Sequence, residues 1–220
     1  MYFIGIDIGT SSTKIILTDE KCEIIKSFTQ EYETEYFRTG WSEQDPDLWY
    51  NAVKTGIPEL IKDIDSSLIC GIGTSGQMHG LVILDKNNKV IRPAILWNDG
   101  RTEEETDWLN STVGKERLTT LTGNIAFAGF TAPKLLWLRK HEPDNFEKIA
   151  RIMLPKDYIN FRLTGVHSSD YSDASGTLLL DVKNKAWSKQ MMEICALREE
   201  QMPALFDSYE SVSYTHLRAH

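Results

Sequence analysis

Tyr2-Phe3-Ile4-Gly5-Ile6-Asp7-Ile8-Gly9-Thr10-Ser11-Ser12-Thr13-Lys14-Ile15-Ile16-Leu17 is the stretch whose reading decides the fold. Tyr2 to Ile8 reads as a buried strand. A short Gly, Thr and Ser segment follows, and Ile15 to Leu17 begins a second apolar run. Asp19, Glu20 and Lys21 make a polar turn, and Ile24 to Phe28 gives a third run. Three strands joined by short turns predict an antiparallel meander.

Working outward, Asp45-Pro46 marks a helix start, with Asp45 as cap and Pro46 at the first helical position. Leu48, Trp49, Ala52, Val53 and Ile57 would share its apolar face. Pro58 is expected to interrupt or kink it. Leu68 to Ile72 reads as the next strand, then Leu81 to Leu84, a turn over Asp85 to Lys89, and Ala94 to Trp97. Beyond Arg101 the pattern is mainly helical, with segments at 133–140, 143–150, 155–163 and 188–195. This order predicts a mixed α/β domain. Residues 211–220 lack periodicity and close on the basic run His216 to His220, so the expectation is either a chain that stops mid-domain or a tail of unrelated sequence.

The chain has 220 residues, 41% hydrophobic and 25% charged, the balance of an ordinary globular domain. A net charge of -8 and a pI near 5.2 argue against nucleic-acid partners, which need a cationic footprint. Cys22, Cys70 and Cys195 are odd in number and widely spaced, so neither a disulfide framework nor a zinc site is expected. No basic leader and no long apolar run is present, so no membrane partner is expected and the predicted compartment is the cytoplasm.

Three segments carry candidate chemistry. In Asp7 to Lys14, Gly9 allows a ligand close to the backbone. Thr10, Ser11 and Ser12 offer hydroxyl and amide donors to phosphate, and Lys14 adds a cation. Asp7 repels a bare phosphate, so its role there is to hold Mg²⁺ or its waters. A plain hairpin turn has the same composition. Gly71-Ile72-Gly73-Thr74-Ser75-Gly76 spells a dinucleotide fingerprint, but the strand-like Leu81 to Leu84 leaves no room for the helix that motif opens. The expectation is a strand ending in a turn that presents Gln77, Met78 and His79 to a polyol, although a hydrogen-bonded loop histidine reads the same way. Trp97, Asn98, Asp99 and Arg101 cluster at a loop tip as in carbohydrate sites. Asp99 equally suits a cap for the following helix. Trp49, Trp108, Trp137 and Trp187 are expected in the core, and Glu103 to Glu105 on a solvated helix face.

Together these segments resemble the FGGY carbohydrate kinases. Asp7-Ile8-Gly9-Thr10-Ser11 stands where that family carries its Asp-x-Gly-Thr phosphate loop. Among its members the xylulokinases are similar at 41–46, at Gly76-Gln77-Met78-His79-Gly80 and at 96–101. Further likeness lies in 129–134, 154–158 and 170–177, and it is collinear to about Glu210. Glycerol kinases carry Arg-Glu where Met78-His79 stands.

The resemblance implies an actin-like, ribonuclease-H-like domain: a mixed sheet with an initial three-strand meander and helices on both sides. It implies ATP-dependent phosphorylation of D-xylulose, with ATP and Mg²⁺ in a cleft against a second domain. On it, Asp7 is the catalytic residue that positions Mg²⁺ and phosphate. Gly9, Thr10, Ser11, Ser12 and Lys14 are phosphate ligands, and Gln77, Met78, His79, Trp97, Asn98, Asp99 and Arg101 are sugar ligands. Residues 1–210 would form the substrate domain of a protein twice this length that can pair as a homodimer. The general base, in a Gly-Gly-Asp segment, and the nucleotide pocket would lie beyond the chain, so the 220 residues alone are expected to be inactive. The alternatives are an FGGY kinase for ribulose, fuculose or gluconate, and a non-catalytic sugar-binding module.

Overall fold

A computed structural model describes residues 1–213, so the end of the suspected tail, 214–220, lies outside the described residues. Strands β1 (Tyr2–Ile8), β2 (Ser12–Asp19) and β3 (Ile24–Glu31) form the expected meander. It is longer than the apolar runs suggested, because β2 starts at Ser12 rather than Ile15. Hairpin pairing from Asp7↔Lys14 to Ile8↔Thr13 recruits polar residues that pattern alone leaves in a loop. A two-residue β4 (Glu43–Gln44) and α1 (Pro46–Ile61) lead to β5 (Ile69–Gly76), which pairs parallel with β1. The sheet order is β3-β2-β1-β5.

α1 starts as its sequence dictates, with the Asp45 carboxylate accepting from Asp47 N at 2.9 Å. Its buried face is Trp49, Ala52, Val53, Gly56, Ile57 and Leu60, whereas Leu48 lies outside it. Pro58 does not interrupt the helix. It sits on the exposed side, where a carbonyl that loses its helical N–H partner can turn to solvent.

β6 (Val82–Leu84) follows, then β7 (Ala94–Ile95), which pairs with β4. Helices α2 (Glu103–Trp108), α3 (Lys115–Thr122), α4 (Thr131–His141) and α5 (Pro143–Glu147) come next. β8 (Arg151–Met153) pairs with β6, and α6 (Pro155–Thr164) precedes β9 (Ser168–Asp170) and the single-turn α7 (Tyr171–Ala174). The hairpin β10 (Leu180–Asp181) and β11 (Ala186–Trp187), α8 (Lys189–Ile194) and β12 (Ala204–Phe206) complete the fold. No helix among the described residues is long and apolar enough to cross a membrane.

Two cores result. Ile4, Ile6, Ile15 and Leu17 pack with Trp49 and Val53 of α1 and with Tyr158 and Ile159 of α6. The second core gathers around α4 with Leu135, Leu138, Leu109, Leu118 and Met191. β6 divides them: Val82 and Leu84 point into the first core, Leu81 and Ile83 into the second. A strand covered on both faces reads as an unbroken apolar run. α1 and α6, the helices packed on the four-stranded sheet, share its Ile4–Ile6 face, and the face carrying Phe3, Asp7, Gly73 and Ser75 is exposed. Trp49 and Trp137 are core residues as expected, but Trp108 is 42% exposed.

Candidate functional site

β1 and β5 run parallel, so their C-terminal ends, Ile8 and Gly76, finish side by side. The turns that follow, Gly9 to Ser11 and Gln77 to Gly80, therefore meet at one edge of the sheet, where open α/β sheets hold ligands. The glycine run is not a loop: all of 71–76 is strand, held by pairing such as Gly5↔Gly73 and Ile8↔Gly76. That disposes of the dinucleotide fingerprint, because no helix opens there.

The first turn is tied down tightly. Gly9 N donates to Ser12 O at 2.9 Å, and a Cβ on Gly9 would come 2.9 Å from that oxygen. Tyr32 donates its hydroxyl to Gly9 O at 2.7 Å, and burial pushes the phenol up to about 12. Gln44 Nε2 donates to Thr10 O at 2.6 Å, and Trp97 Nε1 donates to Thr10 Oγ1 at 3.0 Å. Thr10 Oγ1 in turn donates to Gln77 Oε1 at 3.3 Å, and Gln77 Nε2 donates to Gln44 Oε1 at 3.2 Å. Expected as ligands, Thr10 and Gln77 thus spend their polar atoms on each other, on Gln44 and on Trp97. Ser11 stays exposed. Asp7 and Lys14 are cross-strand partners on the bare sheet face, and Ser75 pairs with Asp7 from the other side. No cluster of three His, Cys, Asp or Glu side chains able to hold a metal occurs among the described residues. A lone solvated carboxylate is still the donor set Mg²⁺ accepts when substrate phosphates and waters supply the rest.

In the second turn Met78 is 48% exposed and His79 is left-handed at φ 63°. The His79 ring packs on Phe130, centroids 4.7 Å apart, and against Gly176, where a Cβ would lie 2.6 Å from Nδ1. Buried Nδ1 has no hydrogen-bond partner among the described residues. Burial, then the neighbouring Lys134 charge, brings the imidazole down to about 4, partly offset by the Gly176 backbone. His79 is therefore neutral at pH 7 and able to exchange hydrogen bonds with a hydroxyl.

The third segment divides. Trp97 is 43% exposed and reaches Thr10, and Asn98 is exposed. Asp99 and Arg101 are not available as ligands. The Arg101 side chain is fully buried, with Nε 2.8 Å from Asp99 Oδ1, Nη2 2.7 Å from Asp99 Oδ2 and Nη1 2.7 Å from Glu43 Oε1. Its guanidinium lies 3.8 Å from the Trp41 ring centroid and 4.9 Å from that of Trp137. Nor does Asp99 cap α2, whose cap position is Thr102. Its Oδ2 accepts from Ser42 N at 2.6 Å and its Oδ1 from Arg101 N at 2.9 Å. A buried arginine ion-paired with Asp99 and Glu43 fixes a loop; turning it out to a ligand would strand the Asp99 carboxylate, whereas Glu43 would keep Arg92.

Sequence reasoning missed Gln44, Lys134 and Gly176 as site residues. The signals available were the place of Gln44 beside the α1 cap and the family likeness of 41–46, 129–134 and 170–177, which marks the segments without assigning a role to these residues. A second buried cluster lies beside Gly76: Lys156 Nζ is 2.7 Å from Asp157 Oδ1, 2.8 Å from Asp170 Oδ2 and 3.7 Å from Asp173 Oδ2. Burial and the Asp157 charge push Asp173 up to about 7.

Comparison with known proteins fits this geometry. The FGGY family of carbohydrate kinases, N-terminal domain, matches residues 2–220. The xylulose kinase of Escherichia coli (strain K12) is 44% identical over 208 residues, covering 94% of this chain and 43% of that protein. A crystal structure described as a xyloylose kinase from Brucella ovis superposes with a TM-score of 0.88 at 42% identity, covering 94% of this chain and 43% of that one. A gluconate kinase from Lactobacillus acidophilus gives a TM-score of 0.88 at 30% identity, covering 93% and 42%. The shared fold is the actin-like one. The chain spans less than half the length of these relatives.

Proposed function

The chain belongs to the FGGY family of carbohydrate kinases, and from that premise we propose that it forms the sugar-binding side and one phosphate-binding turn of a kinase for D-xylulose. One observation carries this reading: the Gly9–Ser11 turn and the Met78–His79 turn meet at the ends of β1 and β5, joined by the Trp97–Thr10 and Thr10–Gln77 hydrogen bonds. A phosphate donor and a polyol acceptor have to meet in just such a place.

In this reading Met78 and the exposed Trp97 ring pack on the carbon face of the sugar, while His79 and Asn98 meet its hydroxyls. Neutral His79 has an unpaired buried nitrogen, a state that costs about 1–3 kcal/mol unless a partner arrives. Ser11, Ser12, Lys14 and the backbone N–H of Thr10 face the phosphates, on a turn whose shape the Gly9 N–H bond to Ser12 O sets. Asp7 would hold Mg²⁺, which supplies charge neutralisation between the phosphates of ATP. Gln77, Asp99 and Arg101 hold these groups in place. The same reading includes a cytoplasmic setting, supported by three unpaired cysteines, and a homodimer of a longer protein.

Xylulose is preferred over gluconate on identity, since the fold itself matches kinases of both names with a TM-score of 0.88. Calorimetric titration of the chain with D-xylulose, gluconate and glycerol tests this. Binding of xylulose alone, lost in the Met78→Arg/His79→Glu double variant, is expected. Preference for another sugar would replace the substrate, and no sugar binding at all would end the reading.

A further inference from the structure

We propose that Lys134 is the positioning residue for His79, holding the 78–80 turn in its binding geometry through the first turn of α4. This rests on the reading of His79 as a sugar-binding side chain. Lys134 is fully buried, which lysine almost never is unless its N–H groups are needed. Its Nζ donates to His79 O at 3.0 Å and to Gly129 O at 2.6 Å. Thr131 Oγ1 donates to the same His79 O at 3.1 Å. Phe130, at the helix cap, packs against the His79 ring at an interplanar angle of 47°.

Phe130 at the cap of α4 and the i, i+3 pair Thr131 and Lys134 in its first turn all grip one histidine. What they hold needs holding. A left-handed non-glycine residue persists only where its surroundings over-determine it. Gly129, the other anchor, packs so close to Trp97 that a Cβ there would lie 2.5 Å from Trp97 O. Lys134 thereby couples the His79 turn to the Trp97 loop, the two sides of the proposed sugar site. Burial lowers its pKa to about 7, with Asp99 opposing and Arg101 adding to the drop. The clamp survives deprotonation, because a neutral amine still has two N–H groups for its two carbonyls.

Lys134→Met keeps the stem and removes the donors. Ring NMR signals of His79 are expected to shift or split, while those of His141 and His167 stay as controls for the fold. The His79 titration midpoint is expected to rise, since the lysine charge that depresses it is gone. The Kd for D-xylulose is expected to weaken ~10-fold or more, as small displacements at a binding group do. Thr131→Val removes one donor to the same carbonyl and is expected to move the same signals less; it decides the matter if Lys134→Met does not fold. Unmoved His79 signals in whichever of these variants folds would overturn the proposal. If the wild-type chain fails to bind xylulose but the His79 signals still respond, the sugar reading falls and the positioning role stands.

Discussion

Gly176 has no side chain, and the His79 ring occupies the space a methyl group would take. A Cβ there would overlap the ring at Cε1, and the backbone at Gly176 is not left-handed, so alanine introduces a clash and nothing else. Gly176→Ala is expected to displace the imidazole and weaken D-xylulose binding ~10-fold or more. Its effect on stability should stay within roughly 1–3 kcal/mol, the usual cost of overpacking. Calorimetry and urea unfolding on the same variant check both, and unchanged affinity would mean that the ring position does not matter. At this scale sequence was a partial guide. Met78 and His79 stand out by composition beside a strand end. Gly176 does not, because a glycine required by a distant side chain carries no local mark.

α1 shows how an element is placed by one missing side chain. Gly56 faces the sheet, and a Cβ on it would strike the Phe28 ring and come 2.6 Å from Ile15 Cδ1. Gly56→Ala brings two opposed effects. Helix propensity favours alanine by about 1 kcal/mol. Overpacking costs about 1–3 kcal/mol, and the Phe28 ring in β3 cannot step aside as a flexible chain end can. The net expectation is a loss of up to roughly 2 kcal/mol in urea unfolding, and a gain would show that the helix can lift off without cost. The start of α1 was legible because Asp45 and Pro46 act within one turn. Passage through Pro58 was not, since it depends on which side of the helix faces water. The glycine run in β5 misled for a related reason: its strand character comes from β1, 68 residues away in pairs such as Ile8↔Gly76 and Gly5↔Gly73.

For the whole molecule, the buried Lys156 cluster sets a pH dependence. Folding raises Asp173 from 3.8 to about 7, so the native state keeps a proton that the unfolded chain releases across that window. Stability from this group therefore falls as pH rises from about 4 to 7 and is level above. His79, lowered from 6.5 to about 4, works in the opposite direction, so the wild-type curve alone would blur the two. Comparison with Asp173→Asn isolates the carboxyl. The variant is expected to gain on wild type by up to roughly 4 kcal/mol between pH 4 and pH 8. Urea midpoints at the two values check this, and a difference that stays constant with pH would place the Asp173 proton elsewhere. Family likeness marks 154–158 and 170–177 separately, but that Lys156, Asp157, Asp170 and Asp173 meet follows from the α6–β9 connection, which no local pattern signals.

Sequence by itself determined the meander, the capped helix and the order of segments that marks the family. Those rest on contacts within a few residues, on alternation at period two, or on collinear likeness. Tertiary structure alone decided which candidate side chains remain open to a ligand. Asp99 and Arg101 sit in the sequence as plausibly as Met78 and His79. Burial between Trp41 and Trp137 and pairing with Glu43 convert them into supports, while the left-handed turn and the α4 clamp leave His79 with a nitrogen to offer. Composition states which chemistry a residue can perform, and only packing states whether its partners have already taken it.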